Sequence, residues 1–296
     1  MATSWEMWNG AFAVPAIDEI RRALAGQAVR AAEWRFEEGR ARVCLTEGAP
    51  LARPEPLPDR DGLFAAVTDG AEYPYLLFLP RTYDPTRPCR TMLFLHGIGE
   101  RGRNPRVLAN FGPFQYILDG HADFPWIVIA PQLEENDHWT EGADGAEEDD
   151  QMIRLLRFLE QMRAAYAVDP GRLCLTGLSM GGKGGFKLCC FAPGLFSAAA
   201  LCCGRASPRN EPEAFLYPMD RMAGLPLWLF HGTEDATVAP AHSISALNRL
   251  NRLDPAADRR LTLYPGVAHG SFHIAYRDGR LYGWLRSYTD RKEGIL

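Results

Sequence analysis

The sequence predicts an α/β domain, a mostly parallel sheet with helices on both faces and no large cap domain. Three observations carry this prediction. Short apolar runs of strand length recur from residue 73 onward: YPYLLFLP, TMLFL, WIVIA, RLCLT, AAALC, LWLF and LTLY. Such continuous apolar strands suit a sheet covered on both faces, and segments with helical spacing separate several of them. The runs also end in loops rich in reactive residues, among them HGIG, GLSMGG, HGTED and YPGVAHG. Open parallel sheets gather their ligands at those strand ends.

The bulk properties fit. A chain of 296 residues, 47% hydrophobic, suffices for one large domain with a short appendage. Residues 1–72 read as an N-terminal appendage, a helix plus a strand packed on the main domain, and residues 73–296 as the main domain itself. The formal net charge of -5 argues against a nucleic-acid partner. No apolar run reaches the ~20 residues that span a bilayer. The first twenty residues lack the basic start and apolar core of a secretory signal, which points to the cytoplasm. The seven cysteines (44, 89, 174, 189, 190, 202 and 203) are odd in number, include two adjacent pairs and form no C-x-x-C. They fit neither a disulfide framework nor a zinc site, and read as reduced core residues.

In chain order, Trp5, Trp8 and Phe12 are spaced so that one helical face could present all three. The segment has no Lys or Arg to complement anionic lipid, so docking on the main domain is the better reading. Ile17, Ile20 and Leu24 suggest an amphipathic helix over residues 15–35. Residues 41–46 alternate like a strand, and residues 47–61 are dense in proline and charge, a loop. The apolar runs then give strands at 73–80, 91–95, 126–130, 172–176, 198–202, 227–230 and 261–264. Helices are expected over 146–165, after Ser179, over 241–250 and over 281–288. Residues 204–224 have the length of a small lid. The acidic run containing Glu134, Glu135, Asp137 and residues 141–150 reads as a solvated face without a function.

The chain is organised around residues 172–191, RLCLTGLSMGGKGGFKLCCF. A strand, then Gly177-Leu178-Ser179-Met180-Gly181, then a helix is the pattern of a serine held on a sharp strand-to-helix turn. Residues 177–183 also spell G-x-x-x-x-G-K, a phosphate-cradling loop, but Gly184 stands where its Ser or Thr should hold magnesium. A glycine-rich turn without chemistry is the third reading. A serine nucleophile needs a base, and the base needs an orienting acid. The two later strand ends carry Asp235, with Glu234 beside it, and then His269, in the order Ser, Asp, His expected of such a sheet. A turn cap is the alternative reading of Asp235, and a single histidine is usually structural; His269 stands out by its place after the final strand. His269 and His273 form an H-x-x-x-H pair, but Gly270 stands where a zincin carries Glu, so no metal is assigned. Acyl transfer also needs donors for the developing oxyanion. The candidates are the N–H of Met180 and that of Ile98, with Gly99 the fallback.

With these residues in place, the chain resembles the α/β-hydrolase superfamily, in its carboxylesterase/phospholipase-like branch, related to feruloyl-esterase and polyhydroxybutyrate-depolymerase-type serine esterases. The matching segments are YLLFLPRTYDP, FLHGIGERG, PQLEENDHW, DPGRLCLTGLSMGG, WLFHGTEDATV and YPGVAHGSFHIAY followed by LYGWL. The resemblance implies Ser179 as nucleophile, His269 as base, Asp235 as acid, and Ile98 and Met180 as oxyanion donors. It also implies that Gln132 and Trp139 lie near the acyl or alcohol pocket. The chain departs from the family in Lys183-Gly184-Gly185, where larger residues often follow the turn. It also lacks the signal peptide of secreted relatives, which argues against extracellular polymers as substrates. The expected activity is hydrolysis of a small-molecule carboxylic ester or thioester with no cofactor. A serine peptidase, or a catalytically inactive hydrolase fold used as a binding module, are the alternatives.

Overall fold

The computed structural model describes residues 3–7, 17–24, 29–37, 40–47, 64–68, 70–121, 124–140 and 150–290. The strands are β1 (Thr3–Met7), β2 (Val29–Glu37), β3 (Arg40–Glu47), β4 (Phe64–Val67), β5 (Tyr75–Phe78), β6 (Cys89–Leu95), β7 (Ile127–Pro131), β8 (Val168–Leu178), β9 (Ala198–Cys202), β10 (Leu227–Gly232) and β11 (Arg259–Tyr264). They form one sheet in the order β1-β3-β2-β11-β10-β9-β8-β6-β7-β5-β4. The six strands from β11 to β7 are mutually parallel. Antiparallel strands flank this block: β5 and β4 beyond β7, and β2, β3 and β1 beyond β11.

Both faces of the parallel block are buried, which is why its strands read as continuous apolar runs. Along β6, Leu93 and Leu95 enter one hydrophobic cluster while Met92 and Phe94 enter the other. That division follows from side chains alternating across a strand. The helices α3 (Asp150–Ala165), α4 (Met180–Phe191) and α5 (Ala241–Leu253) cover the first face, through residues such as Phe158, Phe186 and Leu247. The helices α2 (Pro113–Leu118) and α7 (Gly279–Thr289) cover the second, through Phe114, Ile117, Leu281 and Trp284. The predicted apolar stripe of α3 is seen: Met152, Leu155, Leu159 and Met162 are all buried. Among the described residues no helix is long and apolar enough to cross a membrane.

The N-terminal expectations need correction. The predicted helix over 15–35 is a short helix α1 (Ile17–Leu24) followed by strand β2. Ala32 and Trp34 are fully buried, two residues apart, paired with Leu263 and Leu261 of β11. Period two and tertiary pairing thus override the helical spacing of Ile17, Ile20 and Leu24 beyond Gly26. Residues 3–7 are a strand paired with β3, so Trp5 belongs to no helical face; Trp8 and Phe12 lie outside the described residues. Residues 48–61 of the expected loop and 146–149 of the expected helix also lie outside them.

Because β6, β8, β9, β10 and β11 run parallel, their carboxyl ends open on the same edge. Four of these ends carry the residues singled out by the sequence.

Candidate active site

Ser179 is the single residue between the end of β8 and the start of α4. Its backbone is held at φ 51°, ψ -113°, a conformation that costs a non-glycine residue of order 1–3 kcal/mol. Neighbouring contacts keep it there. Its N–H donates to the Cys202 carbonyl at 2.9 Å, and its own carbonyl accepts from the Lys183 N–H at 3.0 Å. Gly181 is required by close approach, since a methyl there would collide with the Leu95 carbonyl of β6. The turn leaves no room for the phosphate-cradling reading: residues 177–178 belong to the strand and residues 180–183 to the helix, so no loop remains to wrap an anion.

The histidine and the carboxylate arrive from the next strand ends. His269 Nδ1 lies 2.7 Å from Asp235 Oδ2, and His269 Nε2 lies 2.8 Å from Ser179 Oγ. A carboxylate only accepts, so Nδ1 carries the proton, and Nε2 is left to accept the Ser179 hydroxyl. Two backbone links clamp the loops together: Glu234 N–H donates to the Val267 carbonyl at 3.0 Å, and Thr233 N–H to the Tyr264 carbonyl at 3.0 Å. Asp235, not Glu234, faces the histidine; Glu234 is exposed and its Oε1 accepts from the Thr233 hydroxyl.

Asp235 is fixed on every side. Its Oδ1 accepts the N–H groups of Thr237 and Val238, each at 2.9 Å, in an Asx-type turn. Its Oδ2 also lies 3.2 Å from His231 Nε2. That nitrogen faces a second acceptor, the Val238 carbonyl at 2.8 Å, while His231 Nδ1 meets the Ser243 hydroxyl at 2.8 Å. Burial alone would raise the carboxyl's pKa. The hydrogen bonds from His231, His269 and Val238 outweigh it and hold Asp235 well below the usual carboxylate range.

The loop after β6 closes the other side. A methyl at Gly97 would stand 2.7 Å from Leu178 Cδ1 and 2.8 Å from Glu100 Oε2, so glycine lets the loop pass close to the serine turn without displacing those side chains. His96 anchors this loop from beneath. It is fully buried; its Nδ1–H donates to the Gly97 carbonyl at 2.6 Å, and its Nε2 accepts the Leu133 N–H at 3.0 Å. Burial pulls its pKa down to about 4, against a small opposing effect of the Gly97 bond. Ile98 then opens a short turn (Ile98–Glu100), half-exposed at the mouth of the site.

A cleft of about 350 Å³ opens over the serine. Ile98, Ser179 and Met180 line it together with His138, Thr140, Lys183, Arg205, Arg209, Thr237 and Val238. Gln132 and Trp139 are not among the lining residues. Both are buried behind the loop: Gln132 Nε2 donates to the Glu100 carbonyl at 2.8 Å, and Trp139 Nε1 to the His96 carbonyl at 2.9 Å. The geometry gives them a supporting position, whereas His138 and Thr140, either side of Trp139, reach the cleft. Sequence reasoning missed those two, the three basic residues and His231. Only His231 carried a visible signal, four residues before Asp235 in HGTED.

Residues 204–224 run beside the cleft and are tied down along their length. Ala206 and Ser207 are buried, Leu216 N–H donates to the Ala206 carbonyl at 2.9 Å, and Met219 and Met222 join the core cluster that contains α4. His273 is hydrogen-bonded to Gln115 at 2.9 Å, and its H-x-x-x-H partner is engaged with Ser179 and Asp235. Cys203 Sγ, an Asp235 oxygen and a His269 nitrogen do lie within 4.8 Å of one another. That group is poorly suited to a cation, because burial pushes the Cys203 thiol far above its ordinary pKa and the other two are bonded to each other.

The comparisons with known proteins agree with this geometry. Residues 67–253 match the Esterase family, described as "Putative esterase". No curated protein sequence matches the chain. Among solved structures, a thermostable esterase aligns with TM-score 0.59 at 20% identity, over 87% of this chain and 90% of its own. The feruloyl esterase module from Clostridium thermocellum, complexed with sinapinate, aligns with TM-score 0.61 at 14% identity, over 82% and 95%. An S-formylglutathione hydrolase from Agrobacterium tumefaciens aligns with TM-score 0.55 at 14% identity, over 77% and 94%. At these identities the structures establish the α/β-hydrolase fold, and the family match carries the activity: the chain belongs to the esterase family and is a carboxylic-ester hydrolase.

Proposed function

We propose that the protein hydrolyses small-molecule carboxylic esters or thioesters through an acyl-enzyme on Ser179, with His269 as general base and Asp235 as its orienting acid. The observation that carries this reading is the continuous chain of contacts from Ser179 Oγ to His269 Nε2 (2.8 Å) and from His269 Nδ1 to Asp235 Oδ2 (2.7 Å). As Ser179 attacks the ester carbonyl, His269 takes its proton and later returns it to the departing alcohol. Asp235 stays ionised and stabilises the imidazolium that forms, which its depressed pKa supports. The N–H groups of Ile98 and Met180 hold the oxyanion; both residues line the cleft beside Ser179, and Met180 begins α4, at the positive end of the helix dipole. Water then enters, loses a proton to His269 and releases the acid.

On the same footing, residues 1–72 are read as an N-terminal appendage that adds strands to the sheet of a catalytic domain of residues 73–296, through the β2–β11 and β4–β5 pairings, and the protein works in the cytoplasm. The second point is supported by the six cysteines whose side chains the structure describes, all free and five of them buried, which suit a reducing compartment. Ser179→Ala tests the catalytic assignment: it should abolish both 4-nitrophenyl acetate hydrolysis and covalent labelling by a fluorophosphonate. Retained hydrolysis would move the nucleophile elsewhere, and a wild-type protein that resists labelling altogether would favour an inactive binding module.

A further inference from the structure

The described charged residues that line the cleft over Ser179 are all basic, apart from the histidine His138. The chain carries a formal net charge of -5, yet the cleft is lined by Lys183, Arg205 and Arg209 and, among the described residues, by no carboxylate. Several arginines elsewhere in the fold are ion-paired, among them Arg90 with Asp290, Arg154 with Asp137, Arg277 with Asp119 and Arg260 with Asp258. Arg205 and Arg209 make no hydrogen bond or ion pair among the described residues. Two acids close in sequence to the lining residue His138 are engaged elsewhere: Asp137 pairs with Arg154, and Glu134 with Arg103.

The backbone that carries Arg205 is rigid. Ala206 and Ser207 are each 1% exposed, Ser207 Oγ lies 2.7 Å from His242 Nδ1, and Gly204 packs against Gly182 of α4. A guanidinium on so fixed a stem loses little further freedom when it binds. Arginine presents a planar fork of donors matched to carboxylate and phosphate, and a cleft with low-dielectric walls focuses its field on the bound ligand.

We propose that the enzyme selects esters whose acyl or alcohol half bears an oxyanion, carboxylate or phosphate, held by Arg205 and Arg209. This rests on the ester-hydrolase reading with Ser179 as nucleophile, and the assay separates the two. Mono-4-nitrophenyl glutarate against 4-nitrophenyl valerate interrogates the acyl half. For the alcohol half, 4-acetoxybenzoate and 4-acetoxyphenyl phosphate are compared with 4-acetoxybenzamide. A preference for the anionic ester of about tenfold or more in kcat/KM is expected in one of the two arms, which identifies the half that carries the charge. The preference should fall at least several-fold in the Arg205→Gln/Arg209→Gln variant, and in the wild type as ionic strength rises from low salt toward 1 M, where the Debye length is about 3 Å. Equal kcat/KM in both arms, or a preference that survives both the double variant and high salt, overturns the proposal while leaving the hydrolase reading intact. If no ester in either arm is turned over and no fluorophosphonate labels Ser179, the hydrolase reading itself fails, and the proposal with it.

Discussion

Two of the serine–histidine couples in this molecule share nearly the same hydrogen-bond length but differ in their surroundings. Ser179 Oγ meets His269 Nε2 at 2.8 Å, and Ser207 Oγ meets His242 Nδ1 at 2.7 Å. Only the first has the surroundings of a nucleophile. His269 is backed by Asp235 at 2.7 Å and opens on a cleft, and Ser179 is strained at φ 51° on a helix N-terminus. His242 has no carboxylate bonded to it among the described residues, and Ser207 and His242 are 1% and 2% exposed. Burial first, then the nearby Arg205 and His231, pull the His242 pKa to about 4. A short Oγ···N contact is therefore cheap to build. What separates the pairs is the acid behind the imidazole, and access.

The sharpest way to break this comparison is to remove each hydroxyl. Ser179→Ala should lower kcat/KM on a neutral ester by a factor of about 10³ or more, whereas Ser207→Ala should stay within a few-fold, as read by initial rates and by fluorophosphonate labelling of the same samples. Removing the acid comes next. Asp235→Asn should cost on the order of 10³–10⁴ in kcat with KM little changed, because the imidazole loses the partner that fixes its tautomer. A loss below tenfold would deny Asp235 its role and send attention to Glu234.

The buried couple should instead show itself in stability. Ser207→Ala leaves a buried ring nitrogen unpaired and should cost about 1–3 kcal/mol in denaturant unfolding. The smallest effect concerns pH. A buried histidine whose folded pKa is about 4 against an ordinary 6.5 binds its proton more readily when unfolded. Its contribution is therefore complete above pH ~6.5 and is lost as pH falls toward 4, on the order of 1–3 kcal/mol in all. His96 titrates in the same direction. His242→Gln should thus flatten part of the decline in stability between pH 6.5 and 4; an unchanged slope would show that His242 does not titrate across folding.

How legible this was from the sequence varied along the chain. The strands from residue 73 onward were legible because both of their faces are buried, so each contains a run of apolar residues. Ser179, Asp235 and His269 were legible for a related reason: parallel strands deliver their C-terminal loops to one edge, so order along the chain stands in for position in space. Strand β2 was not, because its burial of Ala32 and Trp34 depends on pairing with β11, more than two hundred residues later. The roles of Gln132 and Trp139 were not legible either. A residue near the site in sequence either lines a cavity or braces the loop behind it, and only the direction of its side chain decides. Here the bonds to the Glu100 and His96 carbonyls turn both of them inward.

By itself, the sequence determined the class of the sheet, the sharp turn that presents the serine, and the order in which Asp235 and His269 follow it, because these depend on local spacing and backbone sterics. Tertiary structure alone decided that His231 shares the Asp235 carboxylate, that Ser207–His242 is sealed in the interior, and that Arg205 and Arg209 line the cleft with Ser179 without a counter-charge among the described residues. Electrostatics and burial act through distance in space, and distance in space is set by how the strands are ordered and paired in the sheet.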